Sequence, residues 1–162
     1  MAPKTKEVSM SIYLVQHGLS LPKDIDPEKG LSEKGTAEVN RIADVAHGYG
    51  IRVAHIVHSG KKRARQTAEI FASKLQPVDG VTSLGGLNPL DDVTIFASRM
   101  DSASDTMYVG HLPFMERLAA FLLTGVYEKP VFKFQNGGIV SLYEDTDLGS
   151  WVIKWALMPK ID

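Results

Sequence analysis

The stretch Ser11-Ile12-Tyr13-Leu14-Val15-Gln16-His17-Gly18 decides the fold. Four β-favouring or apolar residues after Ser11 run into a polar pair and then a glycine. This is the pattern of a buried strand that stops abruptly at its C-terminal end. Open α/β sheets bind ligands just outside the carboxyl ends of their strands. A histidine there is well placed for chemistry, and the glycine after it would let a ligand approach the backbone. By itself, a strand-end histidine is more commonly a surface or structural residue.

Working outward, alternating strands and helices follow. Ser32 caps a predicted helix with Glu33 in its first turn, and Val39, Ile42, Ala43 and Ala46 recur at helical spacing until Gly48 and Gly50 end it. Arg52–His58 holds a second short strand, and Ser59-Gly60 turns the chain into a helix over about 61–75. The spacing leaves 77–86 as loop with at most a short strand. Asn88 as cap, Pro89 in the first turn and Asp91 after it predict a helix running to Met100. Thr106–Gly110 reads as a third strand, and Pro113 opens the next helix. Two strands, 139–144 and 151–157, close the chain. Trp151 and Trp155, four apart in a strand, are expected on one face in the core.

The expectation is therefore an α/β single-domain sandwich with a mostly parallel central sheet flanked by helices. A flexible lead is expected over 1–10 and one domain over 11–162. The 162 residues, 44% hydrophobic and 23% charged, suit one soluble globular core. A formal net charge of -1 gives no argument for nucleic acid or an anionic membrane as partner. The absence of cysteine removes disulfides, thiol catalysis and zinc–thiolate sites. The first ten residues lack the apolar core of a signal peptide, and no run nears the roughly 18 apolar residues of a membrane span. A cytoplasmic protein is expected.

Three strands ending near His17, His58 and His111 would open onto one sheet edge. Beside them, Lys61, Lys62, Arg63 and Arg65 crowd the start of a helix, the unfavourable end of its dipole for cations. The bland reading is a solvated basic turn. The functional one is that a cation faces a bound anion. Two imidazoles and a guanidinium would suit a tetrahedral dianion. His58 reads as supporting, His47 and His55 as solvent or edge residues, and Ser59 as a helix cap.

These motifs resemble the histidine phosphatase (phosphoglycerate mutase-like) superfamily, and within it the small SixA-type phosphohistidine phosphatases. The family's Arg-His-Gly stands here as Gln16-His17-Gly18. Its Ser-x-x-x-Arg-Ala-x-x-Thr-Ala stands as Ser59 to Ala68, with Arg63 at the arginine. Gly110-His111 matches the late Gly-His, and Leu31-Ser32-Glu33-Lys34-Gly35 resembles Leu-Thr-x-x-Gly.

The resemblance implies a phosphoglycerate mutase-like fold and a metal-independent phosphatase without cofactor. His17 would be the nucleophile, and Gln16, His17, Arg63 and His111 would bind phosphate. The implied substrate is a phosphohistidine-bearing protein, such as a phosphorelay or phosphotransfer protein, or a small phosphorylated molecule. Gln16 departs from the family arginine and loses a permanent charge. This opens the alternative of a non-catalytic phosphate- or phosphohistidine-binding module. A small-molecule phosphomonoesterase would need a general acid, for which Asp91 or Asp92 is nearest. The chain leaves little room for the insertions that roof the site in larger relatives.

Overall fold

A computed structural model describes residues 10–161. The flexible lead expected over 1–10 lies, except for Met10, outside the described residues. One six-stranded sheet has the order β3-β2-β4-β1-β5-β6. Its strands are β1 (Ile12–Gln16), β2 (His55–His58), β3 (Val81–Ser83), β4 (Thr106–Gly110), β5 (Ile139–Asp145) and β6 (Ser150–Leu157). The helices are α1 (Glu33–Gly48), α2 (Lys62–Leu75), α3 (Val93–Arg99) and α4 (Phe114–Thr124). β1 to β4 are mutually parallel, and β5 and β6 join antiparallel.

Parallel strands buried on both faces need apolar residues at every position. β1 obeys: Ile12, Leu14 and Val15 are fully buried, and Tyr13 nearly so. Its pleat sends Ile12 and Leu14 to a core shared with Phe114 and Leu118 of α4 and Phe96 of α3. Tyr13 and Val15 face Val39 and Ile42 of α1 and Ala68 and Phe71 of α2. Each such buried aliphatic side chain contributes about 1.5–3 kcal/mol.

Two local expectations are corrected. The helix expected from Asn88 begins at Val93, capped by Asp92, whose carboxylate accepts from the backbone of Thr94 and Ile95. Asn88 to Asp91 is instead a tight turn, in which Asp91 Oδ2 accepts from the Asn88 backbone. The Asn-Pro signal marked the turn, and the next acid won the cap.

Trp151 and Trp155 do not share a face. The β5–β6 register slips at Ser141/Leu142, where Trp155 pairs with Ser141 but Ile153 with Leu142. The extra residue inverts the side-chain alternation. Trp151 packs with the α3–α4 core, while Trp155 packs with the α1–α2 core, 5.9 Å from the Tyr13 ring. No helix among the described residues is long and apolar enough to cross a membrane.

Candidate active site

Adjacent parallel strands β1 and β4 end side by side, and each delivers a histidine. His17 N–H donates to Gly110 O at 2.9 Å, so pairing continues one residue past β1. The His17 and His111 rings lie 4.9 Å apart between centroids. Arg63 stands in the first turn of α2, and its Nε donates to His17 Nε2 at 3.2 Å. Residues from three distant stretches thus converge at one sheet edge.

The His17 backbone is held from several sides. Gly18 N–H donates to Thr67 Oγ1 at 2.9 Å, and that hydroxyl donates to Arg63 O at 2.8 Å. The arginine and threonine of one helix therefore act together: one side chain meets the His17 ring, and the other fixes the next peptide. Asn136 Nδ2 donates to His17 O at 2.9 Å, and Gly137 N–H to Gln16 O at 2.8 Å. Sequence reasoning missed Asn136 and Thr67 as site supports. Asn136-Gly137-Gly138 carried only a turn signal, although Gly137 sits at φ +79° against Val39.

Packing alone requires a glycine at position 18. A Cβ there would lie 2.7 Å from Val39 Cγ2 and 3.0 Å from Leu31 Cδ2. Close packing of α1 and the loop leaves no room for a side chain there.

His17 Nδ1 lies 2.7 Å from Gly18 O. A carbonyl only accepts, so Nδ1 carries the proton and Nε2 keeps its lone pair. Burial lowers the His17 pKa to about 4, opposed by the Gly18 carbonyl and reinforced by the charges of Arg63 and Lys29. His111, 1% exposed, is lowered to about 3 by burial and then by His17, Arg63, Lys61 and Lys29. Both rings are neutral at pH 7. His111 Nε2 lies 2.6 Å from Ser59 Oγ, and its buried Nδ1 makes no hydrogen bond within the protein.

Ser59 is thus not the helix cap. Lys61 occupies that position without a side-chain cap bond, leaving backbone N–H groups at the positive end of the dipole. His58 is buried and accepts from Gly60 N–H through Nδ1, a supporting contact. His55 meets Thr82, and His47 is exposed. Lys62 pairs with Asp26 at 2.9 Å and Arg65 with Glu69 at 3.9 Å, whereas Arg63 meets the His17 ring directly.

Gln16 falls on the Leu14 side of the pleat, and its buried Oε1 makes no hydrogen bond within the protein. No hydrogen bond ties its amide to His17, Arg63 or His111. Asp91 is tied to Asn88, and lines a cavity of about 420 Å³ with Leu84, Phe96 and Tyr108, to which none of the three convergent residues contributes. Asp92 is held ionised by the Thr94 hydroxyl and backbone, the wrong state for donating a proton. Among the described residues, no group of three or more His, Asp or Glu side chains is arranged to hold a metal.

Against known proteins, the model of the histidine phosphatase superfamily (branch 1) matches residues 12–88. No curated protein sequence matches the chain. Among solved structures, the protein histidine phosphatase SixA complexed with tungstate superposes with a TM-score of 0.79 at 24% identity, covering 93% of this chain and 97% of that one. A SixA-type protein of Agrobacterium tumefaciens gives 0.74 at 22%, covering 94% and 99%. A mycobacterial glucosyl-3-phosphoglycerate phosphatase with VO3 gives 0.67 at 16%, covering 93% and 100%. These likenesses establish the phosphoglycerate mutase-like α/β fold.

Proposed function

We propose, for a chain that carries the histidine phosphatase signature over residues 12–88 on a phosphoglycerate mutase-like fold, a phosphatase that removes the phosphoryl group from phosphohistidine on a protein. The observation that carries this reading is His17. Its Nε2 lone pair is fixed by Nδ1–H donation to Gly18 O and lies 3.2 Å from Arg63 Nε. A neutral imidazole with a defined tautomer is a ready nucleophile at neutral pH.

In the first step, His17 Nε2 attacks phosphorus as the bond to the leaving nitrogen breaks. Arg63 turns its Nε–H from His17 towards a non-bridging oxygen. The free N–H groups at the start of α2 add dipole, and His111 contributes through Nε2, the ring nitrogen that meets Ser59 Oγ. The leaving imidazole keeps the bonding electron pair and takes a proton from solvent. In the second step, water attacks phosphorus, the P–Nε2 bond breaks, and neutral His17 and phosphate are regenerated.

The state of the nearby acids supports phosphohistidine over a phosphate ester. Asp92 is ionised, and Asp91 is engaged with Asn88. An alkoxide leaving group needs a proton donor in the site, whereas imidazole leaves from a labile P–N bond with solvent as the only proton source. Asp91→Asn is therefore expected to leave phosphohistidine turnover within about threefold of wild type, since it removes no transition-state contact. A large loss on a sugar phosphate would favour the small-molecule phosphomonoesterase.

The deciding experiment incubates the protein with a phosphohistidine-bearing protein in EDTA, beside His17→Ala. Dephosphorylation only with His17 is expected. Equal release from His17→Ala would overturn the reading. Tight binding without release would favour the binding module, which Gln16 motivates because its amide is detached from the site residues.

A further inference from the structure

We propose that Lys29 supplies the phosphate-binding cation missing at position 16, so that the charge reaches the site from the loop over 19–31 rather than from the end of β1. The inference rests on the phosphate site described above and names an additional ligand for it.

Backbone conformation singles out Lys29. Its φ is +53°, in the left-handed region that disfavours a lysine. The adjacent Gly30 does not take that position, although glycine would occupy it without cost. Asp26 enforces the geometry. Its carbonyl accepts from Lys29 N–H at 2.8 Å, and its carboxylate accepts from Glu28 and Gly30 N–H at 3.0 and 2.9 Å.

Location is the second observation. The turn is clamped onto the first turn of α2, the same turn that carries Arg63. Asp26 Oδ2 bonds Lys62 Nζ at 2.9 Å, and Leu31 N–H donates to Gln66 Oε1 at 2.7 Å. A Cβ on Gly30 would lie 2.9 Å from Lys62 Cε. The loop therefore cannot drift from the arginine.

Charge is the third. Lys62 is neutralised by Asp26 and Glu28, Arg65 faces Glu69, and Lys61, exposed at the cap of α2, is felt at His111 but not at His17. Lys29 is partly buried, unlike exposed Lys23 of the same loop, and no carboxylate pairs with it among the described residues. Its charge is nonetheless felt at both His17 and His111. An unpaired cation whose field reaches two neutral imidazoles opposes their protonation and favours an arriving dianion.

The test measures binding of inorganic phosphate by calorimetry, with thermal melting on the same samples. The proteins are wild type, Lys29→Gly, Lys29→Gln, Lys29→Arg and Lys23→Gln, with Gln16→Arg alone and combined with Lys29→Gly. Removing a charged donor should weaken phosphate binding by about tenfold or more in Lys29→Gly and Lys29→Gln. Lys29→Gly should melt no lower than wild type, because glycine relieves the left-handed backbone. Lys29→Arg should retain binding, Lys23→Gln should match wild type, and Gln16→Arg should shrink the loss caused by Lys29→Gly.

Phosphate binding by Lys29→Gln within about twofold of wild type would overturn the proposal, as would an equal loss in Lys23→Gln. The binding readout needs no turnover. An inactive wild type whose phosphate affinity depends on Lys29 would sustain this inference and defeat the phosphatase reading. An active wild type indifferent to Lys29 would do the reverse.

Discussion

His17 is a buried imidazole whose protonation state follows from its surroundings. Burial carries its pKa to about 4, well under the ordinary 6.5. The acid limb of kcat/KM, which reports the free enzyme, should therefore fall below pH 5 once substrate ionisation is corrected for. A limb near 6.5 would mean that the ring is solvated in solution. Thr67 makes a second residue-scale prediction. Its hydroxyl accepts from Gly18 N–H and donates to Arg63 O. Thr67→Val keeps the shape but orphans a buried N–H, which costs about 1–3 kcal/mol of stability. It should also lower kcat, since the His17 peptide loses one of its holds. Urea unfolding and steady-state kinetics on one preparation measure both. The histidines and Arg63 were legible in the sequence because their residue types are chemically distinctive. Asn136 and Thr67 were not, because an amide or hydroxyl that holds a backbone looks like any turn or helix residue until the partner is known.

At the scale of elements, Gly35 reverses a general rule. Glycine inside a helix is about 1 kcal/mol worse than alanine. Gly35 lies in the first turn of α1, and its N–H donates to the Ser32 cap. A Cβ there would overlap the carbonyl oxygen of Leu19, part of the loop's backbone. Gly35→Ala should therefore destabilise by about 2 kcal/mol or more instead of stabilising, as overpacking against rigid backbone does. Chemical denaturation reads the sign directly. The Leu31-to-Gly35 motif thus records a helix pressed against the loop that leads out of the His17 strand. Element types were legible here from periodicity and caps. The β6 bulge was not, because an inserted residue leaves hydrophobic composition unchanged and shows only in the pairing register.

The whole molecule couples stability to the same buried histidines. Both fold with pKa values below 6.5, so between the folded and unfolded values the unfolded chain binds more protons. Their contribution is fully present above pH 6.5 and is lost as pH falls towards 4 and 3. The melting temperature should drop across that window, with a shallower slope in His17→Ala. An unchanged slope would assign acid sensitivity to other groups.

The sequence by itself determined the alternation of strands and helices, the buried character of β1 and the chemically distinctive residue types at the strand ends. These depend on local periodicity and side-chain chemistry, which neighbours along the chain express. Only the tertiary structure decided which hydroxyl holds Gly18, that Ser59 meets His111 rather than capping α2, and that the loop carrying Lys29 is tied to α2 through Leu31 and Gln66. Such contacts join residues tens of positions apart, and side-chain partners at that separation leave no periodic trace.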